Sequence, residues 1–315
     1  MTQSHRDLKK SAWLQFCTIV RLQPFLFAQK TVGIARKGER MEDTNAGSDT
    51  LNRRVAEAVA SGKKPIELLF EPIYDCGGDD EVVAYRAGAV VNSLLIGTLT
   101  PADYLRAAVP EKLLFDLTFR LLGKTASAAT ELAALPDRPK LLTLRVPTSL
   151  IYTEEDLTSA LLGACAGAAD SVPLCLEFYE DAMDADGATL SRAIAAIHAA
   201  GLHVAVDGYG GEDFPMEKLL SVCPDFLFTS PRVAALSTDR GRAAALAPLL
   251  NFAKSLGAEI IADAVADDTA LREFRARDAF GFLPAQNYTG AACRPIEALT
   301  IEKIKGKQNE ENKTL

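Results

Sequence analysis

Between residues 66 and 304 the sequence alternates short apolar runs with longer segments of helical spacing, and this alternation constrains the fold more than any other feature. Runs of strand length occupy residues 68–74, 81–85, 141–146, 173–178, 202–206, 226–229, 259–262 and 280–283. Most are apolar throughout, as expected of strands buried on both faces. Helical spacing fills residues 111–123, 155–167, 188–200, 240–255 and 268–277. Gly201 and Gly257 close two of these helices, because glycine takes the left-handed conformation at a helix end without a Cβ penalty. Repeated βα units of about this number and length predict an α/β protein built as a (β/α)8 TIM-like barrel. A doubly wound open sheet is the competing arrangement. No Gly-x-Gly-x-x-Gly turn follows the first strand, so a dinucleotide site is not indicated.

The flanks read differently. Residues 1–62 form an N-terminal extension, partly disordered or helical, residues 63–305 the barrel domain, and residues 306–315 a polar tail expected to fray. The apolar stretch 12–27 is interrupted by Gln15, Arg21, Gln23 and Pro24 and is too short and polar for a transmembrane helix. It reads as an amphipathic helix, a disordered arm, or an upstream extension foreign to the natural protein, with the last favoured. Residues 51–61 have helical spacing, and the lone Trp13 is read as an anchor for the leading segment.

Composition removes several function classes. The 315 residues carry a net charge of −8, which opposes a nucleic-acid backbone as partner, since phosphate binding needs clustered Lys and Arg. Six scattered cysteines, with no C-x-x-C pair, read as reduced thiols of a cytoplasmic protein. His5, His198 and His203 show no ligand spacing, so no metal and no other cofactor is expected from them.

In a (β/α)8 barrel, functional side chains sit at the C-terminal ends of the strands. The polar residues there are Arg86, Arg145, Glu177 with Glu180, Asp207, Thr229 with Ser230, and Asp263. Acidic groups on three strand ends suit a divalent cation. Two arginines on two others do not, because a guanidinium repels the cation and competes for its carboxylates.

On these residues the chain resembles the EAL domains, which hydrolyse cyclic-di-GMP. Phe70-Glu71-Pro72-Ile73-Tyr74-Asp75 is similar to the opening Q-P-I strand, and Ala84-Tyr85-Arg86-Ala87-Gly88 stands at the G-Y-E-A-L signature. Thr100-Pro101-Ala102-Asp103-Tyr104 resembles S-P-A-E-F, Leu176-Glu177-Phe178-Tyr179-Glu180 L-E-I-T-E, and Val206-Asp207-Gly208-Tyr209-Gly210 D-D-F-G. Ile261-Ala262-Asp263-Ala264-Val265-Ala266 resembles A-E-G-V-E, and Phe280-Gly281-Phe282 resembles Q-G-Y. The order and spacing of these matches cover about residues 66–300. The resemblance implies a modified barrel in which one strand runs against the rest.

The departures from the family pattern bear on function. Of the family's four metal-ligand positions, the resemblance puts Arg86 at the signature glutamate and Arg145 at the asparagine, while Glu177 and Asp207 remain. Gly208 replaces the second aspartate of the D-D-F-G turn. Phe228 stands where a lysine assists the attacking water, and Ser230 where an aspartate follows. Asp263 and Ala266 replace the A-E-G-V-E glutamates, Phe280 the Q-G-Y glutamine, and Glu71 the Q-P-I glutamine. Val90 falls at the substrate-contacting arginine. Phosphodiester hydrolysis through metal-activated water needs those parts, so the expectation is an inactive remnant of a phosphodiesterase with no catalytic residues.

Carboxylates left in a barrel mouth without a cation are costly. The vestigial positions Arg86, Arg145, Glu177 and Asp207 are therefore expected to form an ion-pair cluster, the guanidiniums standing in for metal. The functional expectation is a regulatory module working through an unidentified protein partner, as inactive members of this family do. The alternative is a non-hydrolysing cyclic-di-GMP receptor, and an enzyme with another substrate ranks last because no nucleophile–base pair is evident. A homodimer stays open: the family pairs through helices after the fifth and sixth strands, but residues 208–218 depart from its loop.

Overall fold

The computed structural model describes residues 66–78, 81–93, 97–99, 111–152, 156–166, 171–212, 214–236, 243–293 and 298–311. The expected helix at 51–61, the stretch 12–27, Trp13 and the 100–104 motif lie outside the described residues.

Strand β1 (Ile66–Tyr74) turns into β2 (Val82–Ser93), which folds back on the short β3 (Gly97–Leu99). Then follow α1 (Glu111–Ala133), β4 (Leu141–Val146), α2 (Leu157–Ala164), β5 (Leu174–Phe178), α3 (Gly187–Ala199) and β6 (His203–Tyr209). The second half runs α4 (Leu219–Val222), β7 (Phe226–Thr229), α5 (Pro231–Leu236), α6 (Ala243–Ser255), β8 (Glu259–Val265), α7 (Asp268–Arg275), β9 (Gly281–Pro284) and α8 (Ile301–Glu311). Single 3-10 turns follow β4 (Thr148–Tyr152) and β5 (Glu180–Asp184).

The sheet order is β1-β9-β8-β7-β6-β5-β4-β2-β3, and β1 also pairs with β2, so eight strands close into a ring with β3 attached outside it. Every pairing from β2 through β4 to β9 is parallel, whereas β1 is antiparallel to both neighbours. The closed barrel with one reversed strand is the fold expected above. The seam between β1 and β2 is long, from Ile66↔Val91 to Tyr74↔Val82. The seam between β1 and β9 rests on Tyr74↔Phe282, where Gly281 allows the approach: a Cβ there would lie 2.9 Å from the Tyr74 carbonyl oxygen.

Side-chain alternation sorts the strand residues into two cores. Outward-facing residues such as Leu142, Leu144, Leu176 and Val206 pack under the helices. Ile73, Leu141, Cys175, Ala205, Phe228, Ile261 and Leu283 fill the barrel interior. Caps fix where several helices begin: the Asp186 carboxylate accepts the Ala188 and Thr189 N–H groups, and Asp267 those of Thr269 and Ala270.

Several boundaries differ from the sequence reading. Helix α1 runs through Gly123 to Ala133 because Ala126, Ala129 and Leu132 continue its buried stripe. Strand β2 continues past Tyr85, since pairing with β1 and β3 outlasts its last partner on β4, Ala87↔Leu144. Helix α8 reaches Glu311, past Gly306. Among the described residues no helix is long and apolar enough to cross a membrane.

Candidate functional site

The C-terminal mouth of the barrel receives the inward-facing residues one layer above the apolar plug. Glu177 on β5 is at its centre and is wholly buried. Register explains its neighbours: Arg145 pairs with Glu177 directly, and Thr143, two residues earlier on β4, shares Arg145's face. Arg86 lies opposite Thr143 on β2 and opposite Glu71 on β1. Arg86 thus sits inside β2 and not at a strand end as the sequence suggested. It still lines the mouth because the parallel part of the ring ends one residue later.

Both guanidiniums converge on one carboxylate. Arg86 Nε donates to Glu177 Oε2 at 3.0 Å, and its Nη2 stands 3.0 Å from Oε1. That Nη2 meets the carboxylate at a poor angle and is the one buried side-chain nitrogen or oxygen among the described residues without a hydrogen bond. Arg145 Nε donates to Glu177 Oε1 at 2.8 Å, and Arg145 Nη2 to Asp207 Oδ2 at 2.6 Å. The Thr143 hydroxyl donates to Glu177 Oε2 at 3.3 Å, and the Gly208 N–H to Asp207 Oδ1 at 2.7 Å. Arg86 Nη1 reaches Asp263 Oδ2 at 3.4 Å and the half-exposed Glu71 at 3.8 Å. Two rings support the cations: Arg86 lies 4.1 Å from the Phe228 centroid and Arg145 4.9 Å from that of Tyr179.

The electrostatics follow. Burial works against the charged form of Glu177, but Arg86 and Arg145 outweigh it and hold the carboxyl below its ordinary range. Burial raises the Asp207 carboxyl, and the neighbouring guanidiniums do not cancel that rise. Burial likewise opposes the charge on Arg86, yet Glu177, Asp263 and Asp207 keep it firmly protonated. Four carboxylates therefore surround two guanidiniums, and the central one takes the best contacts.

The structure draws Arg86, Arg145, Glu177, Asp207, Asp263, Glu71 and Phe228 together. Gly208 contributes its backbone, with φ at 81°, a conformation that leaves little room for a side chain. Ser230 turns away: its hydroxyl accepts the Arg232 N–H at the start of α5. Phe280 does not reach the mouth; it packs on Phe226 at 5.3 Å, at the opposite, N-terminal end of the strands. Two members were missed in the sequence. Thr143 was legible from the alternation that shares a face with Arg145, and Tyr179 directly follows β5. Thr229 secures β8 by accepting the Asp263 N–H at 3.0 Å. Ala264, beside Asp263, has φ at 55°, left-handed backbone in a residue with a Cβ.

A second charged group lies at the other end of the barrel. Asp225 accepts the Val204 N–H at 2.8 Å and contacts His198 Nε2 at 2.9 Å and His203 Nδ1 at 3.5 Å. Burial opposes its charge, yet these donors hold the Asp225 carboxyl far below its ordinary value, and the bond to Asp225 raises His203. Both histidines are thus structural partners of one carboxylate.

Comparison with known proteins places this architecture. A family model described as EAL domain matches residues 52–282. Among solved structures, the EAL enzyme Bd1971 in its cAMP- and cyclic-di-GMP-bound form is 13% identical with a TM-score of 0.69, over 85% of this chain and 70% of that one. The EAL domain of Mycobacterium smegmatis DcpA is 16% identical with a TM-score of 0.58, over 78% and 96%. The FimX EAL domain from Pseudomonas aeruginosa, bound to c-di-GMP, is 14% identical with a TM-score of 0.59, over 75% and 93%. At such identities the likeness is one of fold. No curated protein matches the chain by sequence.

Proposed function

The chain belongs to the EAL domain family, whose field is cyclic-di-GMP signalling, and from that premise we propose that it is a non-catalytic member. In this reading it works as a regulatory module that engages a protein partner in the cytoplasm. The observation that carries the reading is the occupation of Glu177 by both Arg86 and Arg145, and of Asp207 by Arg145.

The donor set does not fit a catalytic divalent cation. Such a cation needs free carboxylate oxygens at about 2.0–2.6 Å. Both oxygens of Glu177 already accept from Arg86, Arg145 or Thr143, and those of Asp207 accept from Arg145 and the Gly208 N–H. A cation entering between them would meet two fixed positive charges at contact distance. The position read from the resemblance as the water-assisting lysine is Phe228, fully buried under Arg86 and without a titratable group.

A second reading, a cyclic-di-GMP receptor without hydrolysis, draws on the related FimX domain, which was solved with c-di-GMP bound. Glu71 weighs against it, since its half-exposed carboxylate sits on the rim where an anionic ligand would enter. The test is calorimetric titration of the full chain with cyclic-di-GMP, with and without Mg2+, followed by chromatography for product. No heat and no product is the expected result. Heat without product favours the receptor reading, and Mg2+-dependent product overturns both.

A further inference from the structure

We propose that residues 51–61 dock as a helix in a cavity over the outer face of β1 and complete the helical layer of the barrel there. The proposal does not depend on whether the barrel mouth is catalytic.

The reversed strand leaves that face short of cover. Every parallel strand of the ring is followed by at least one helix before the next ring strand begins, and such helices form the outer layer of a barrel. Strand β1 instead passes to β2 across residues 75–81 and has no following helix of its own. Beside its outer face, between α1 and α8, lies a cavity of about 600 Å3. Phe70 and Ala128 on its wall are buried, but Ile66, Leu68 and Ile301 are only partly covered. Those aliphatic groups are an apolar surface one layer short of burial.

The length and pattern of the chain before β1 name the occupant. Leu51, Val55, Ala58 and Val59 stand at i, i+4, i+7 and i+8, one apolar stripe of a helix. Gly62 supplies the left-handed position past its end, and Pro65 stops it from continuing into Ile66. Four residues, 62–65, thus join the segment to a residue that lines the cavity. A helix of this length spans roughly 16 Å, about the rise of β1 from Ile66 to Phe70, so reversal at Gly62 lays one along the other. Charge agrees. Glu67, Glu131 and Glu302 line the cavity against Lys124, with Glu131 also meeting Lys305. Arg53, Arg54, Lys63 and Lys64 of the incoming chain outnumber Glu57. Because β1 begins on the mouth side, at Ile66↔Val91, a helix antiparallel to it starts at the opposite end of the barrel. Anything upstream of Leu51 is then delivered away from the mouth.

Hydrogen exchange on the full chain tests the proposal. A helix this short is marginal on its own in water, so protection of its amides reports docking. Amides of residues 55–61 are expected to exchange roughly a hundredfold slower than an unstructured chain. Ser127→Trp, on the exposed wall of the cavity, and Val55→Asp, on the apolar stripe, should each remove about tenfold or more of that protection while β5 amides stay protected. Should one variant unfold the barrel, the β5 amides reveal it and the other variant decides. Wild-type amides that exchange as an unstructured chain overturn the proposal, and so does protection that a folded variant leaves intact. Protection that appears only as concentration rises assigns the cavity to a second copy's segment and overturns it too.

Discussion

Arg86 and Arg145, on neighbouring barrel strands β2 and β4, share a single carboxylate, each within 3.0 Å of Glu177 Oε1. Two like charges are thus held together by one wholly buried anion, and the partners on either side, Asp263 and Asp207, extend the arrangement across the mouth. A buried ion pair contributes little net stability when intact, but losing one member leaves an uncompensated charge.

Truncating Arg86 should therefore cost far more than its contact area implies. Arg86→Met is expected to lower unfolding stability by about 3–5 kcal/mol, because Glu177 then keeps only Arg145 and Thr143. Combining it with Glu177→Leu should recover much of that loss. Urea unfolding of the two single variants and the double variant closes the cycle. Additive losses would mean the two residues do not interact.

Reversing the two arginines should change what the mouth binds. Arg86→Glu with Arg145→Asn leaves Glu177 and Asp207 with no guanidinium partner and restores the oxygen-rich set that suits a divalent cation. The double variant should be less stable than the wild type in chelator and should gain several degrees of melting temperature in millimolar Mn2+ through linkage, whereas the wild type gains none. An equal Mn2+ response in both proteins would defeat the ion-pair account of the site.

Ala264→Gly should stabilise the fold. The left-handed φ of 55° costs a residue with a Cβ about 1–2 kcal/mol, and glycine escapes that cost at some loss through its freer unfolded chain. A net gain of about 0.5–1 kcal/mol is expected in thermal or urea unfolding. A loss of stability would mean that the Ala264 methyl makes packing contacts worth more than the strain.

The group around Asp225 predicts a pH dependence. The folded-state pKa of His203 is raised, so its contribution is fully present below the unfolded value near 6.5 and declines as pH rises through the folded value. Asp225 behaves oppositely: its depressed pKa gives stability above the unfolded carboxyl range that is lost as pH falls through the folded value. His203 is over two-fifths exposed, so solvent screening keeps its share under about 1 kcal/mol. Stability measured from pH 5.5 to 8.5 should fall in the wild type and flatten in His203→Gln. Parallel curves would remove His203 as the cause.

Much of the barrel was legible in the sequence because its strands are buried on both faces. The bounds of β4 and β7 coincide with the runs 141–146 and 226–229 read from the sequence. The reading stopped short at Arg86, where a cation interrupts an apolar strand. The run 81–85 looked complete, although cross-strand pairing carries β2 to Ser93. Gly123 misled in the same way, because local propensity suggested an end where tertiary burial of Leu132 carries α1 onward. Strand β3 left no local signal, since three residues owe their form to pairing with β2. Phe280 was placed beside the mouth from its motif, but it precedes β9 at the far end of the parallel strands, and only topology reveals which end that is.

The reversed first strand has a consequence for how this protein is made. The ring closes where Tyr74 meets Phe282, with some two hundred residues of chain between them, and the bridge from Phe70 to Leu299 reinforces the same seam. A chain emerging from the ribosome can lay β1 against β2 at once, yet β1's other edge waits until β9 and residue 299 have been synthesised. Until then that edge stays open, and closure is a late, non-local event with the slow kinetics that long sequence separation brings. Versions of this protein that end before residue 299 are therefore expected to leave an unsealed sheet, and to aggregate instead of folding as a smaller barrel.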